Sequence, residues 1–169
     1  MGSKLYWMNI KAVTTRVLQP PKDDLLSVLD ESLPKLTEKS VVVISSKVVA
    51  IWQGRCVPMS GDSARHSLEK EALVKEESAW YLPRDASHTF TRIFTIYEGV
   101  LCSSAGIDES NGDGHFILLP KDCDGAAEQI RAHLKRRDAL EDIGVIISDS
   151  RSTPLRNGAT AVAFGHAGF

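Results

Sequence analysis

The chain has 169 residues, of which 43% are hydrophobic and 25% charged, and its formal net charge is −2. These values are typical of one globular domain, and they argue against a nucleic-acid partner or an anionic membrane surface. No apolar run approaches the roughly 20 residues that span a bilayer, and Met1 to Trp7 lacks the features of a secretory signal. Because Cys56, Cys102 and Cys123 are far apart and in no metal-ligand spacing, we expect reduced thiols in a cytoplasmic protein.

The first part of the chain predicts a strand followed by a helix. Asn9 to Val17 is rich in Val and Thr and alternates weakly, which indicates a strand. Asp23 and Asp24 then place negative charge where a helix begins, and leucines recur at helical spacing from Leu25 to Leu33. We therefore predict that the first helix starts at this acidic pair.

The next part predicts a strand, a polar break and a further helix. Ser40 to Trp52, "SVVVISSKVVAIW", is β-branched or apolar except at Ser45 to Lys47. This pattern indicates a buried strand, a break, and then an extended or helical stretch. Gly61 to Trp80 predicts a helix with an exposed Glu/Lys face and three apolar residues on the other side: Leu68, Ala72 and Ala79.

The second half mixes strands and one long helix. In chain order we predict a hairpin over Phe90 to Ser104 that turns at Glu98-Gly99, a strand over Phe116 to Leu119, an amphipathic helix over Asp124 to Leu140, a buried strand over Gly144 to Ile147, and a last strand over Ala159 to Phe164. Helices and strands do not alternate regularly. The sequence therefore predicts an α+β fold with mixed, largely antiparallel sheets.

The loop "ISDSRSTPLRNG" follows the buried strand directly and contains the first candidate site. Asp149 and Ser150 offer a carboxylate and a hydroxyl, which are hard oxygen ligands for Mg²⁺ or Mn²⁺ beside substrate phosphates. A turn that closes the strand through the same two side chains explains them equally well. Arg151 and Arg156 have the planar, charged guanidinium that suits phosphate or carboxylate, although solvated surface arginines are the alternative.

Two further stretches carry groups of the same kind. Asp108 lies in the small-residue loop "SSAGIDESN", where it either caps a turn or shares one cation with Asp149. Ser45, Ser46 and Lys47 present hydroxyls and an ammonium to a nucleotide, or they simply interrupt an edge strand. The glycines of the final "GHAGF" permit close approach of two backbones or an ordinary turn.

Three stretches, taken together and in this order, resemble one known family. They are "VVVISSKVVAIWQGR" (41–55), "SSAGIDESN" with the later "LLP" (103–111 and 118–120), and "GVIISDSRSTPLRNGATAVAFGHAGF" (144–169). The family is that of the coenzyme F-420:gamma-glutamyl ligases, and the resemblance is closer to its folate-metabolism gamma-glutamate ligase branch. The matching motifs span most of the chain.

The resemblance implies an enzyme that joins L-glutamate through an amide to a carboxylate-bearing substrate, an F-420 precursor or a folate-like molecule. It implies GTP (or ATP) as co-substrate, Mg²⁺ or Mn²⁺, and an intertwined homodimer of α+β subunits. Carried over by motif, the metal ligands are Asp108, Asp149 and Ser150, and the nucleotide-contacting residues are Arg16, Gln19, Ser46, Lys47 and Asn111. We further expect Arg151 or Arg156 to hold an anionic substrate group.

The chain departs from the family pattern in five ways. Ile51 stands where the ligases carry a lysine, Ser104 where they carry Asn, and Ser150 where they carry Thr. "SRSTPLRNG" replaces their loop sequence, so the acceptor can differ from the deazaflavin coenzyme. The family also continues past "GHAGF" with a segment that supplies another metal ligand. We therefore expect residues 1–169 to be one ligase-like domain without that segment, either a natural truncation or a fragment. A chain that is inactive by itself is a further expectation.

Two other functions stay open from the sequence. The chain can be a non-catalytic binding or dimerisation module that keeps the fold. It can also be a metal-dependent phosphohydrolase that uses the same aspartates. A phosphohydrolase would release phosphate without glutamate or a second substrate, whereas a ligase needs both, and a module would not bind nucleotide with Mn²⁺.

Overall fold

The computed structural model describes residues 8–83, 93–151, 155 and 157–169, and these residues form an α+β fold. In chain order the elements are α1 (Leu25–Ser32), β1 (Ser40–Ser45), α2 (Ser46–Trp52), β2 (Cys56–Pro58), α3 (Ser63–Glu77), β3 (Trp80–Tyr81), β4 (Phe94–Tyr97), β5 (Val100–Ser103), a 3₁₀ turn (Ser104–Gly106), β6 (His115–Ile117), α4 (Cys123–Asp138), β7 (Ile143–Arg151) and β8 (Thr160–Ala167). The predicted fold class is confirmed.

The central sheet has the order β1-β7-β8. β1 and β7 run parallel, with pairing from Ser40 opposite Ile143 to Ser45 opposite Ser148, and β8 runs antiparallel to β7. Helix α4 packs on this sheet through residues with no exposed surface, Ala127 and Ile130 among them. Burial of this apolar helix face against the strands forms the main core of the molecule.

Two small antiparallel sheets, β2-β6 and β3-β4-β5, complete the architecture. A second, smaller core lies beneath α3, where Val74 is buried with Phe116. The guanidinium of Arg55 joins these parts, because it pairs with the carboxylate of Glu77 at the end of α3 and donates to the carbonyl of Leu119 at 3.1 Å. The arrangement holds α3 beside the loop that leads to α4.

Several predicted elements are confirmed, and their local causes are visible. Helix α1 begins where the acidic pair was found, since the side chain of Asp24 accepts a hydrogen bond from the N–H of Leu26. The hairpin turns at Glu98 and Gly99, whose φ angles of 44° and 78° are those of a tight two-residue turn. The stretch after β1 takes the helical alternative and forms α2 without an intervening loop.

The predicted first strand is wrong. Residues 9–17 adopt no regular structure, and they are exposed along their whole length. Val and Thr favour a strand only when a neighbouring strand supplies hydrogen bonds and side-chain packing. Among the described residues none pairs with this segment. Composition therefore indicated a local preference that this fold does not satisfy.

The buried side of α3 and the end of β7 also differ from prediction. The apolar side predicted for α3 is wrong, because Leu68 is 68% exposed whereas Val74 faces the core at 1% exposure. The buried strand does not end at Ile147 but continues to Arg151, because Asp149 and Ser150 find antiparallel partners in β8. These two site residues consequently lie on a strand and not in a loop.

The three cysteine thiols are free, as predicted. Within the described ranges, no helix combines the length and the apolar composition that crossing a membrane requires. The intertwined homodimer stays a prediction.

Candidate functional site

A polar cavity of about 650 Å³ lies between α2, α3, the β4–β5 hairpin with its following loop, and the second half of β7 with β8. Its lining includes six of the residues singled out from sequence, drawn from three distant parts of the chain: Ser46, Lys47, Asp108, Asp149, Ser150 and Arg151. The fold therefore brings the three predicted metal ligands and two of the predicted nucleotide residues, Ser46 and Lys47, to one place. Both aspartates lie in the same cavity, as the hypothesis of a shared cation requires.

The parallel pairing of β1 and β7 places Ser46 beside Asp149. Ser45 is opposite Ser148 at the end of the ladder. The residues that follow, Ser46 and Asp149, therefore leave the ladder side by side. The hydroxyl of Ser46 donates to Asp149 Oδ1 at 2.8 Å, and Ser46 is only 2% exposed. Because a strand and the first turn of a helix fix the two partners, the carboxylate of Asp149 is held in one orientation.

Lys47, the next residue of α2, contacts the second aspartate. Its ammonium pairs with the carboxylate of Asp108 and donates to the side-chain carbonyl oxygen of Asn111. Consecutive residues at the start of one helix thus contact Asp149 and Asp108. This contact pair joins the predicted metal ligands to the predicted nucleotide residues.

Hydrogen bonds also fix the charge of Asp108. Both the N–H and the hydroxyl of Ser110 donate to Asp108 Oδ1 at 2.9 Å. Burial by itself raises the pKa of this carboxyl, but the hydrogen bonds from Lys47 and Ser110 outweigh it and lower the pKa to about 2. Asp108 is therefore an ionised acceptor at neutral pH.

The backbone that carries Asp108 is held on two sides. Its N–H and C=O form a two-way bridge with Ile117, at 2.9 and 2.8 Å. Upstream, the buried hydroxyl of Thr95 donates to the carbonyl of Cys102 and accepts from the N–H of Ala105, both at 2.9 Å. The chain turns sharply there, with Ala105 at a φ of 52°. These contacts set the path of the loop into the cavity.

Ser150 and Arg151 line the cavity at the end of β7. Within the part of the chain that the structure describes, the guanidinium of Arg151 makes no ion pair, and its predicted contact with substrate stays a prediction. Arg156, the other arginine predicted to contact substrate, lies outside the described residues.

Arg16 and Gln19 do not lie among the cavity-lining residues. Both nitrogens of the Arg16 fork donate to the carboxylate of Asp23, at 2.6 and 2.8 Å, and the backbone N–H of Gln19 donates to the same carboxylate at 2.9 Å. The network fixes the segment that enters α1. The predicted contact of these two residues with nucleotide stays a prediction.

Three charged or ionisable cavity residues, which contact one another, had no role in the prediction from sequence. His66 and Lys70 lie one turn apart on α3, and each contacts one carboxylate oxygen of Glu109, at 2.8 and 3.1 Å. Burial raises the pKa of Glu109, but its bonds to Lys70 and His66 outweigh this and hold it below the ordinary value. The i, i+4 spacing on α3 and the position of Glu109 after Asp108 were the available signals.

The cavity residues suit a divalent cation that takes only one or two of its ligands from the protein. Across residues 8–83, 93–151, 155 and 157–169, no three His, Cys, Asp or Glu side chains converge as a complete protein cage would require. Mg²⁺ usually needs fewer protein ligands, because one or two carboxylates bind it together with waters and substrate phosphates. The ionised Asp108, and Asp149 positioned by Ser46, supply that donor set.

Comparison with known sequences agrees with the motifs. The family described as F420-0:Gamma-glutamyl ligase matches residues 13–169. The chain is 32% identical over 159 residues to the coenzyme F420:L-glutamate ligase of Methanopyrus kandleri, covering 88% of this chain and 62% of that protein. It is 33% identical over 156 residues to the protein of the same name from Methanothermobacter thermautotrophicus, covering 85% of this chain and 60% of that protein.

A third relative, the coenzyme F420:L-glutamate ligase of Methanococcus maripaludis, is 29% identical over 170 residues, with 95% of this chain and 67% of that protein covered. The chain thus spans about three fifths of the length of the first two relatives it matches. Since the family match extends over most of the sequence, it settles membership. The chain belongs to the F420-0:gamma-glutamyl ligase family.

Proposed function

We propose that this chain carries the nucleotide and metal site of a gamma-glutamyl ligase, which joins L-glutamate to a carboxylate-bearing, coenzyme-like substrate through an acyl phosphate. GTP or ATP is the phosphoryl donor, and an F420 precursor or a folate-like molecule is the acceptor. The observation that carries the proposal is the contact of Ser46 and Lys47, consecutive residues of α2, with Asp149 and Asp108. Membership in the ligase family supports the reaction class.

Asp108 and Asp149 would hold Mg²⁺ or Mn²⁺, with the hydroxyl of Ser150 as a further oxygen donor. A divalent cation at this point would neutralise the negative charge on phosphate oxygens during phosphoryl transfer. Lys47, which lies between Asp108 and Asn111, would contribute a compact positive charge to the same phosphates. The donor set contains only oxygen and nitrogen groups that suit phosphate chemistry.

The reaction would proceed in two steps on one bound acceptor. The acceptor carboxylate attacks the γ-phosphorus, the bond to the nucleoside diphosphate breaks, and an acyl phosphate forms. The amine of glutamate then attacks the acyl carbon, phosphate leaves with the electron pair of the C–O bond, and the amine proton passes to solvent. Arg151, which is free of ion pairs among the described residues, would hold the anionic acceptor. Positioning of the reactants and charge stabilisation supply most of the rate enhancement in such a mechanism.

A homodimeric assembly and a cytoplasmic location belong to the same proposal. Neither changes the roles given to the cavity residues. Sedimentation of the purified chain would measure the assembly state independently of activity.

Calorimetric titration with GTP and Mn²⁺ tests the site. Asp149→Asn keeps the side-chain shape and an acceptor for Ser46 but removes the negative charge, so we expect binding at least about tenfold weaker. Asp142→Asn, at an exposed position next to β7, is the matched control and should bind as the unaltered chain does. Equal binding by both variants would refute the metal role of Asp149. Phosphate release without glutamate or acceptor would identify a phosphohydrolase, and the absence of any nucleotide binding would identify a non-catalytic module.

A further inference from the structure

A second polar cluster lines the cavity and has no role in the proposed metal and nucleotide site. It consists of His66 and Lys70 on α3 and Glu109 in the loop that enters the cavity. His66 Nε2 lies 2.8 Å from one oxygen of Glu109, and Lys70 Nζ lies 3.1 Å from the other. We refer to these three residues as the α3 cluster.

The α3 cluster contains one ammonium, one carboxylate and one imidazole, and the ammonium of Lys70 is its source of positive charge. An ammonium has three N–H donors, so Lys70 keeps donors beyond the one directed to Glu109. The single carboxylate of Glu109 engages both partners, one at each oxygen. Glu109 therefore fixes the positions of both nitrogen groups, and the ammonium of Lys70 keeps donors that Glu109 does not use.

The cluster is also held rigidly on its apolar side. The imidazole of His66 packs against the ring of Phe116, with ring centroids 5.2 Å apart, and Phe116 is only 1% exposed. Phe116 belongs to β6 and to the small core beneath α3. A recognition group anchored in this way loses little side-chain entropy when a ligand binds.

The position of the cluster relates it to the reacting groups. Glu109 directly follows Asp108 in the loop, so the cluster begins one residue away from the proposed metal site. The nucleotide contacts assigned to Ser46 and Lys47 lie on α2 and do not involve it. Because Arg151 is assigned to the acceptor, the amino acid is the one reactant of the proposed ligation that has no binding group among the residues named so far.

We propose that Lys70, held in place with His66 by Glu109, binds a carboxylate of the dicarboxylic amino acid that attacks the acyl phosphate. This inference rests on the proposed function. The amine of the amino acid must stay free to form the new bond, so the protein has to hold the molecule through its carboxylates. The ammonium of Lys70 provides positive charge and two further N–H donors for that purpose. Glu109 acts as a positioning residue.

Titration calorimetry with L-glutamate, in the absence and presence of nucleotide with Mn²⁺, tests the inference. We expect Lys70→Met to weaken glutamate binding about tenfold or more, because it removes a charged donor. Lys70→Arg should restore part of the affinity. L-Glutamine, which lacks one carboxylate, should bind more weakly than glutamate to the unaltered chain, and Lys70→Met should reduce that preference. The variant should leave nucleotide affinity unchanged.

Arg65→Met is the matched control. Arg65 is a neighbouring cation on α3 that is 76% exposed, pairs with Asp62 at 3.5 Å and does not line the cavity. Glutamate affinity that is equal in both methionine variants would overturn the inference, as would the absence of glutamate binding to the unaltered chain under both conditions. Failure of the proposed function is a separate observation, since it appears as equal GTP and Mn²⁺ binding by the Asp149→Asn and Asp142→Asn variants.

Discussion

The hydroxyl of Ser46 donates to the carboxylate of Asp149 at 2.8 Å, although 103 residues separate the two along the chain. Their neighbours, Ser45 and Ser148, form the last pair of the parallel β1–β7 ladder. The hydrogen bond therefore continues the register of the sheet into the cavity. A site contact of this kind depends on strand pairing as much as on the two side chains.

Ser46→Ala should weaken metal-dependent nucleotide binding. The substitution leaves Asp149 without its hydroxyl donor, and a hydrogen bond to a charged group contributes roughly 1.5–3 kcal/mol, so a loss in affinity of at least about tenfold is expected. Calorimetric titration with GTP and Mn²⁺ measures it. Ser45→Ala is the control, because Ser45 is exposed and its side chain makes no cap hydrogen bond. A loss of the same size in both variants would mean that helix α2, and not the bond to Asp149, is responsible.

Arg16→Met should change the acid stability of the chain. The hydrogen bonds from Arg16, and those from the N–H groups of Gln19 and Asp24, hold the pKa of Asp23 well below its ordinary value. A depressed pKa stabilises the fold above the unfolded-state pKa of about 3.9, and the contribution is lost as pH falls towards the folded-state pKa. The variant should raise the pKa of Asp23, so its stability should decline less steeply below about pH 4.

Carboxyl chemical shifts followed through a pH titration, together with urea unfolding at each pH, measure both effects. Lys11→Met removes an exposed cation from the same segment and should leave the titration of Asp23 unchanged. An unaltered pKa of Asp23 in Arg16→Met would show that the backbone N–H groups suffice to hold the carboxylate.

Gly165→Ala should destabilise the fold. Residue 165 lies in β8, and a Cβ atom there would be 2.3 Å from the carbonyl carbon of Cys123 at the start of α4. Backbone cannot yield as a flexible side chain does, so we expect a cost of about 1–3 kcal/mol in the free energy of unfolding. Urea denaturation measures it. Gly144→Ala is the control, since the three heavy atoms nearest to its Cβ would all belong to the side chain of Phe169, which is 73% exposed. Equal stability of the two variants would contradict the prediction.

Thr95→Val should affect both stability and the cavity. The change keeps the shape of the side chain but leaves the N–H of Ala105 buried without its acceptor, at a cost of about 1–3 kcal/mol. Because the same hydroxyl holds the carbonyl of Cys102, the loop that carries Asp108 should also move. Thr95→Ser keeps the hydroxyl and should retain nucleotide affinity. Unchanged unfolding and nucleotide binding in Thr95→Val would show that the loop is held by other contacts.

The sequence predicted those elements whose local and long-range preferences agree. Helix α4 has an unbroken apolar face that ends at Leu134, and this face is the one buried against the sheet. The Glu98-Gly99 turn needed only two residues with positive φ between β-forming runs. In both cases a short stretch of sequence contains all the information required.

Other features depend on contacts that a single stretch does not reveal. Val74, and not Leu68, became the buried residue of α3, because the side that meets the rest of the fold was fixed by packing against Phe116. Asp149 extended a strand because β8 offered it a partner, Val162. The two aspartates were found from the loops and motifs that contain them. The cluster of His66, Lys70 and Glu109 joins a helix to a loop 43 residues away, so no single stretch of the sequence contains it.

One side of strand β7 is apolar where it lies in the core and polar where it reaches the cavity, and the strand is continuous between the two. Val145 and Ile147 are fully buried in the main core, and two and four residues beyond Ile147 the same side presents Asp149 and Arg151 to the cavity. The ladder to β8 shifts register between Ile147 and Ser148, at the point of this change. A substitution that repacks Ile147 would therefore be transmitted along a stiff peptide to the carboxylate two residues on. Fold integrity and ligand affinity should prove inseparable in variants of this strand.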